Sequence, residues 1–185
     1  MKSTPSSLIC GWRVFHDRLP TKDRLHRVGI PLQNPLCTLC SSYEENVKHL
    51  LFSCKESCLI WNLCDNWFAI QTVYRCRPAE HFMGSINNGV AGKRFRMRGI
   101  VWLSITSLIW KHRNDFIFRN REWDALEVFA LVLVKTWAII KVKFDKVDFS
   151  YLDWCADPLL CIKMSSSRFR GGFSIRSLKS VCAPM

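Results

Sequence analysis

The sequence lacks the motifs on which most enzyme classes depend. It has no glycine-rich phosphate-binding loop and no nucleophile elbow, and its acidic residues are too scattered to assemble a carboxylate pair at one site. Phosphoryl transfer, serine hydrolysis and carboxylate-based acid–base catalysis each need one of these arrangements. The chain by itself is therefore predicted not to be an enzyme.

Long apolar segments are also missing. Residues 1–7 contain no apolar core of the kind found in secretory signals. The uncharged apolar stretch 99–110 is far shorter than the about 20 residues that cross a bilayer. The later stretch 125–140 is interrupted by Glu127 and Lys135. We expect an intracellular protein, in the nucleus or cytoplasm, that has no membrane partner.

Acidic residues are scarce relative to basic ones. The chain has 27 lysines and arginines against 15 aspartates and glutamates, which gives a net charge of +12. The basic residues are dense between 91 and 121, where Asp115 is the only acid, and again between 161 and 185. A surplus of this size favours polyanionic partners, of which RNA or DNA is the one we expect.

The apolar content is high enough for a folded core, because hydrophobic residues make up 49% of the sequence. Apolar positions recur at helical spacing in residues 55–68, 95–118 and 124–144. The predicted apolar face of the second block is Trp102, Ile105, Ile109 and Trp110. That of the third block is Leu126, Phe129, Leu133, Trp137, Ile140 and Phe144.

The remaining segments are shorter or richer in turn residues. Apolar spacing indicates a helix near residues 8–15, and Thr21 or Asp23 can cap a short helix that ends at Arg27. Proline, glycine and asparagine in residues 70–92 are typical of a loop or linker. The chain from Ser165 onward is rich in serine, arginine and glycine and is predicted to be disordered.

Four residues have the spacing of a zinc site. Cys37 and Cys40 form a C-x2-C pair, and His49 and Cys54 follow within 14 residues of it. Zinc binds four such ligands in a tetrahedron that brings neighbouring sulfurs to about 3.8 Å, and two intervening residues allow the turn that the cysteine pair needs. A set without a spare carboxylate favours a closed structural site over a catalytic one.

Cys58 is an alternative fourth ligand, because it lies one helical turn after Cys54. We prefer Cys54, which is nearer the start of the predicted helix, with His49 and Cys54 converging from a strand end and that helix's first turn. The histidines outside the cluster, His16, His26, His81 and His112, are interpreted as solvated or capping residues.

Several segments carry a resemblance to a known family. They are residues 11–15 (GWRVF), 18–23 (RLPTKD), 27–30 (RVGI), the C-x2-C pair and residues 49–54 (HLLFSC). Over residues 8–68 the chain resembles the plant reverse transcriptase zinc-binding domain, which follows the polymerase in LINE-type, non-LTR retrotransposons. The resemblance implies a Zn²⁺ cofactor held by Cys37, Cys40, His49 and Cys54. It implies polymerase activity only for the parent element, since this chain has no paired-aspartate motif of the Tyr-x-Asp-Asp kind.

These features predict a mainly α protein: a small zinc-stabilised helical module, two longer helices and a disordered basic tail. The predicted divisions are the zinc-binding domain 1–68, a linker 69–94, a helical region 95–150 and the tail 151–185. Salt-sensitive contacts to nucleic-acid phosphates are expected from Lys93, Arg94, Arg96, Arg98, Lys111 and Arg113.

The sequence is compatible with two functions. The first is a nucleic-acid-binding module, in which Trp12 or Trp61 stacks on unpaired bases unless it is part of the core. The second is a protein-interaction or purely structural remnant of a retroelement, in which zinc only holds a small fold together. The sequence does not fix the oligomeric state.

Overall fold

A computed structural model describes residues 5–70, 76–86, 93–143 and 149–164, with the side chains of 93–96 and 164 excepted. Within these ranges the chain is helical and contains no β-strand, apart from one antiparallel bridge between Leu36 and Glu44. The mainly α fold class is confirmed. The helices, in chain order, are α1 (Pro5–Phe15), α2 (Lys22–Arg27), α3 (Lys55–Trp67), α4 (Pro78–Ile86), α5 (Lys93–Arg119), α6 (Ala125–Lys143), α7 (Tyr151–Ala156) and α8 (Pro158–Met164).

The long helix α5 is the centre of the molecule. Helices α1, α4 and α6 pack against it, and α3 packs against α6. Gly11 allows the close approach of α1, because a Cβ atom at this position would lie 2.4 Å from the Leu103 side chain. Of the predicted face of α5, Trp102, Ile105 and Ile109 are buried and Trp110 is half-buried.

Aromatic rings around Trp102 form the core between these helices. Phe15 of α1 stacks on the Trp102 ring at a centroid distance of 5.2 Å, and Phe82 of α4 meets it edge-on at 5.1 Å. The Trp102 indole also donates a hydrogen bond to Nδ1 of His81, 3.1 Å away. His81 is therefore a core residue, which corrects its interpretation as solvated or capping; His112 is buried as well.

Helix α4 corrects the prediction of a loop over residues 70–92. Pro78 is its first residue, a position where the missing proline N–H costs nothing. Phe82 and Ile86 are buried against the rest of the core. The turn-forming residues that suggested a linker flank this helix, and residues 71–75 and 87–92 lie outside the described part of the chain.

Two further predictions are corrected at the C-terminal end. The buried residues of α6 are Ala125, Val128, Val132, Thr136, Ile139, Ile140 and Lys143. Of the predicted face, Ile140 is buried, Phe129, Leu133 and Trp137 are half-buried, Leu126 is 63% exposed, and Phe144 lies outside the described part. Residues 151–164, which were assigned to the tail, form α7 and α8. Trp154 of α7 is fully buried and donates a hydrogen bond to Thr136. Residues 165–185 lie outside the described part.

No described helix is long and apolar enough to cross a membrane.

Candidate metal centre

The side chains of Cys37, Cys40, His49 and Cys54 meet at one point. One ligand atom from each lies within 4.8 Å of the corresponding atoms of the other three. The sulfurs of Cys37 and Cys54 are 3.9 Å apart, close to the separation of about 3.8 Å expected for two sulfurs on one tetrahedral zinc. Nε2 of His49 lies 3.2 Å from the Cys40 sulfur. The four groups are thus already gathered as a single metal ion would gather them.

The first two ligands lie in a tight turn between residues 35 and 45. The backbone N–H of Cys37 donates to the carbonyl of Tyr43, and that of Ser41 donates to the carbonyl of Cys37. Ser41 has a φ of 55°, a left-handed conformation that reverses the chain directly after Cys40. Two residues between the cysteines therefore suffice to bring both sulfurs to the same side.

The other two ligands come from the start and the end of one short element. His49 begins a π-helical segment, His49–Ser53, and its backbone N–H is capped by the side chain of Asn46 at 2.8 Å. Cys54 is the N-cap residue of α3. The prediction that His49 lies at a strand end is wrong, because a π-helical turn, with its wider spacing, precedes α3 instead.

Backbone N–H groups around the site favour thiolates. Those of Leu39 and Cys40 point at the Cys37 sulfur, and those of Glu56 and Ser57, at the N-terminus of α3, point at the Cys54 sulfur. The hydrogen bond shared with Cys54 lowers the pKa of Cys37 to about 5. The same bond raises the pKa of Cys54, because two thiolates this close repel each other without a cation.

The donor set fits zinc. Three sulfurs and one imidazole nitrogen are borderline-soft ligands, and a buried site of four such groups leaves no position open for a substrate. Cys37 and Cys54 are almost fully buried, and His49 is 8% exposed. Ser53 Oγ lies 3.5 Å from Nδ1 of His49, the nitrogen that faces away from the sulfurs. This is the polar outer contact that metal-binding histidines commonly have.

Cys58 is turned away from this cluster. Its sulfur lies 3.5 Å from the backbone carbonyl of Phe52, and burial raises its pKa. Because Cys54 caps α3 and Cys58 lies one turn inside it, the two sulfurs occupy different environments despite their spacing. The geometry therefore favours Cys54 as the fourth ligand.

Glu45 connects the metal loop to the rest of the protein. Its fully buried carboxylate accepts hydrogen bonds from the backbone N–H of Thr38, at 3.1 Å, and of Lys22, at 3.2 Å. It also forms an ion pair with the guanidinium of Arg113 on α5. Burial alone would raise the pKa of Glu45, but the bonds to Arg113 and Thr38 outweigh it and lower the pKa. Thr38 lies between the two cysteines, so α5 braces the C-x2-C turn.

Sequence reasoning did not identify Glu45 as a residue of the site. The acidic pair Glu44–Glu45 next to the cluster was visible, but only Glu45 turns inward, while Glu44 is exposed. The backbone decides this: the N–H of Glu45 donates to the carbonyl of Pro35, and its own carbonyl accepts from Asp23. No local pattern in the sequence encodes these contacts.

The six residues predicted to contact phosphates differ in their exposure and in their ion pairs. Arg113 is 3% exposed and paired with Glu45, and Arg98 is 7% exposed, so the placement of both fits a structural role better than phosphate contacts. Lys111 is exposed but forms an ion pair with Asp115 at 3.0 Å. The side chains of Lys93, Arg94 and Arg96 lie outside the described part of the chain.

Comparison with known proteins agrees with the metal centre. The sequence profile of a family described as zinc-binding in reverse transcriptase matches residues 2–61. This segment, about a third of the chain, contains all four clustered residues and ends inside α3. No curated protein and no solved structure matches the chain. The match therefore identifies a zinc-binding region similar to that of reverse transcriptases, and it is not a match to a catalytic domain.

Proposed function

We propose that this chain is a structural-zinc module that binds nucleic acid and derives from a non-LTR retrotransposon polyprotein of plant type. In this proposal one Zn²⁺ is held by Cys37, Cys40, His49 and Cys54, and it fixes the loop from residue 35 to residue 54. The chain has no catalytic role of its own; copying belongs to the parent element. The observation that carries the proposal is the three-sulfur, one-nitrogen cluster inside the matched segment, in which Cys37, His49 and Cys54 are buried and Cys40 is half-buried.

Zinc has a structural task here because regular structure is sparse around the cluster. Between α2 and α3 the described chain contains one isolated bridge and one π-helical turn. A metal that joins Cys37 and Cys40 to His49 and Cys54 closes this segment on itself. In small zinc domains the metal contributes about 10–16 kcal/mol of apparent binding free energy, which becomes folding free energy.

The support for nucleic-acid binding is the charge and its placement. The chain has a net charge of +12, and Arg13, Arg18, Lys111, Arg119 and Arg121 are exposed. Contacts between such side chains and phosphates release counterions, so binding weakens steeply as salt rises. A remnant without nucleic-acid binding, the alternative function, shares the zinc site and lacks this salt-dependent binding.

Filter binding of single-stranded RNA to the zinc-loaded chain at two salt concentrations separates these functions. We expect binding at low salt that weakens with a slope of roughly −0.7 per phosphate contact on a log–log plot. Absence of binding at low salt would refute the nucleic-acid function and leave the zinc site in place. Binding with a slope near zero would contradict phosphate contacts.

A further inference from the structure

Trp12 is a large aromatic side chain that the core does not use. It lies in α1 next to the residues that pack on α5, yet 47% of its surface is exposed. Its ring is flanked by two other side chains: the His16 ring at a centroid distance of 4.7 Å, and the Arg18 guanidinium at 5.3 Å. Trp61, the other tryptophan considered for stacking on bases, is 4% exposed and packs in the core. Of these two tryptophans, only Trp12 can receive a ligand.

The two arginines near Trp12 lack acidic partners among the described residues. In the described part of the chain neither Arg13, which follows Trp12, nor Arg18 forms an ion pair with a carboxylate. The basic residues at the far end of α5 differ in this respect. Arg119 is paired with Asp115 at 3.1 Å, and Arg121 is paired with Glu127. The positive charge around Trp12 is therefore less neutralised by carboxylates than the positive charge of Arg119 and Arg121.

Lys135 of α6 adds a third cation beside α1. Its ammonium is half-buried and donates to the Ser107 hydroxyl at 2.8 Å, which in turn lies 3.1 Å from the Ser7 hydroxyl of α1. No carboxylate pairs with Lys135 among the described residues. Burial lowers the pKa of Lys135. A partly desolvated ammonium without a counter-charge is costly, and an anion bound beside it offsets that cost.

The charges of Arg13 and Lys135 both act on one buried residue, Cys10. Burial raises the pKa of the Cys10 thiol to about 12, while the charges of Lys135 and Arg13 act in the opposite direction, so both cations are close to Cys10. Cys10 is one helical turn before Arg13, and Trp12 directly precedes Arg13. Helix α1 thus carries an aromatic ring and a cation, and Lys135 of α6 reaches α1 through Ser107; the described residues pair neither cation with a carboxylate.

We propose that this surface, made of Trp12, Arg13, Arg18 and Lys135, binds single-stranded nucleic acid, with a base stacked on Trp12 and backbone phosphates at the cations. The proposal rests on the proposed function and narrows it to single strands. A base in a duplex already stacks on its neighbours, whereas an unpaired base is free to stack on an aromatic side chain. Phosphate contacts supply the affinity, and they carry no preference for sequence.

The test compares a short oligouridylate strand with its duplex on oligoadenylate, using the full zinc-loaded chain. Stacking on an aromatic side chain is worth about 1–3 kcal/mol per base, so Trp12→Ala should weaken strand binding by about 5-fold or more and leave duplex binding unchanged. Trp12→Phe, which keeps an aromatic ring, should recover most of the loss. Zinc content and the circular dichroism spectrum serve as folding controls for each variant.

Lys135→Gln tests the phosphate contact separately. We expect the salt slope for the single strand to fall by roughly 0.7, the value for one lost phosphate contact. Lys141→Gln is the matched control, because it removes an equal charge from α6 at an exposed position near Trp137, and its slope should stay at the wild-type value.

The outcomes distinguish this surface from the broader function. If the wild type binds the strand and Trp12→Ala binds it equally well, the surface is wrong while nucleic-acid binding stands. An equal loss for strand and duplex would also overturn the stacking of a base on Trp12. If the wild type binds neither probe at low salt, the proposed function fails and this surface fails with it. If Trp12→Ala abolishes self-association in sedimentation experiments and spares RNA binding, the surface belongs to a protein contact instead.

Discussion

The metal loop and the helical core are stabilised by different kinds of interaction. Between residues 35 and 54 the chain has little regular structure. Four metal-binding side chains are gathered there, and the sulfurs of Cys37 and Cys54 are so close that two thiolates would repel each other. Around Trp102 the stabilising contacts are ring against ring, with partners from α1, α4 and the π-helical segment. We therefore expect the loop to depend on a bound ion, whereas the core is formed by the chain alone. The two regions meet where Phe52 packs on Trp102 and where Glu45 pairs with Arg113.

The largest expected effect comes from removing a metal ligand. Cys54→Ser should lose zinc and unfold the loop, because structural zinc contributes about 10–16 kcal/mol in comparable small domains. The helical core should retain much of its helix signal, since its contacts do not involve the metal. Metal content by mass spectrometry and circular dichroism measure the two effects. Full zinc retention in Cys54→Ser would contradict the ligand assignment.

The connection between the two regions is tested by Arg113→Met. This change leaves the buried carboxylate of Glu45 without its counter-charge, which typically costs about 3–5 kcal/mol. Because Glu45 holds the N–H of Thr38, we also expect faster loss of zinc to a chelator.

Arg121→Met is the matched control for this change. It breaks the exposed pair with Glu127, and such surface pairs contribute about 0–1 kcal/mol. Urea unfolding of both variants measures the difference. Equal free energies of unfolding in the two would show that the Glu45–Arg113 pair does not join the regions.

The helical core should respond to acid through His81. Burial lowers its pKa in the folded protein to about 3, below the value of about 6.5 expected when unfolded. Between these values the unfolded state binds a proton that the folded state does not, so stability falls as the pH falls from 6.5. At pH 5 the loss is about 2 kcal/mol.

His81→Phe should remove this part of the pH dependence. Every other titrating group is common to wild type and variant, so the difference between their pH profiles isolates His81. His26→Gln, at an exposed position, is the control. Parallel pH profiles for wild type and His81→Phe would contradict a neutral His81 in the core.

The smallest effect is expected for Cys58→Ser. The Cys58 sulfur is outside the cluster, and within the described ranges its hydrogen-bond partner is the carbonyl of Phe52. We expect an unchanged zinc content and a stability change of about 0.5 kcal/mol or less, typical of a substitution away from special features. Loss of zinc in this variant would exchange the roles of Cys54 and Cys58.

The two regions also differ in how far the sequence predicts them. The metal cluster follows from spacing, because ligands within 18 residues converge through local turns. Only the choice between Cys54 and Cys58 needs more, namely the position at which α3 begins. The positions of the long helices also follow from a local pattern, the spacing of apolar residues. The predicted blocks 95–118 and 124–144 agree with α5 and α6.

The burial of residues on α5 and α6 and the presence of α4 were harder to predict, because they depend on tertiary contacts. The basic residues of α5 suggested a solvated, phosphate-binding face, but α5 is the central helix, so Arg98 and Arg113 are buried. The apolar face of α6 was predicted only in part, because the helix is apolar on several sides and its neighbours α3, α5 and α7 select the side that is most buried. Helix α4 escaped prediction because its apolar stretch is short and lies between turn-forming residues.

X-ray absorption at the zinc edge of the full chain tests the central claim most directly. We expect one zinc per chain, with three sulfurs at about 2.3 Å and one nitrogen at about 2.0 Å. A shell of four sulfurs would bring Cys58 in place of His49. A shell of oxygen and nitrogen, or no bound zinc, would contradict the metal centre itself.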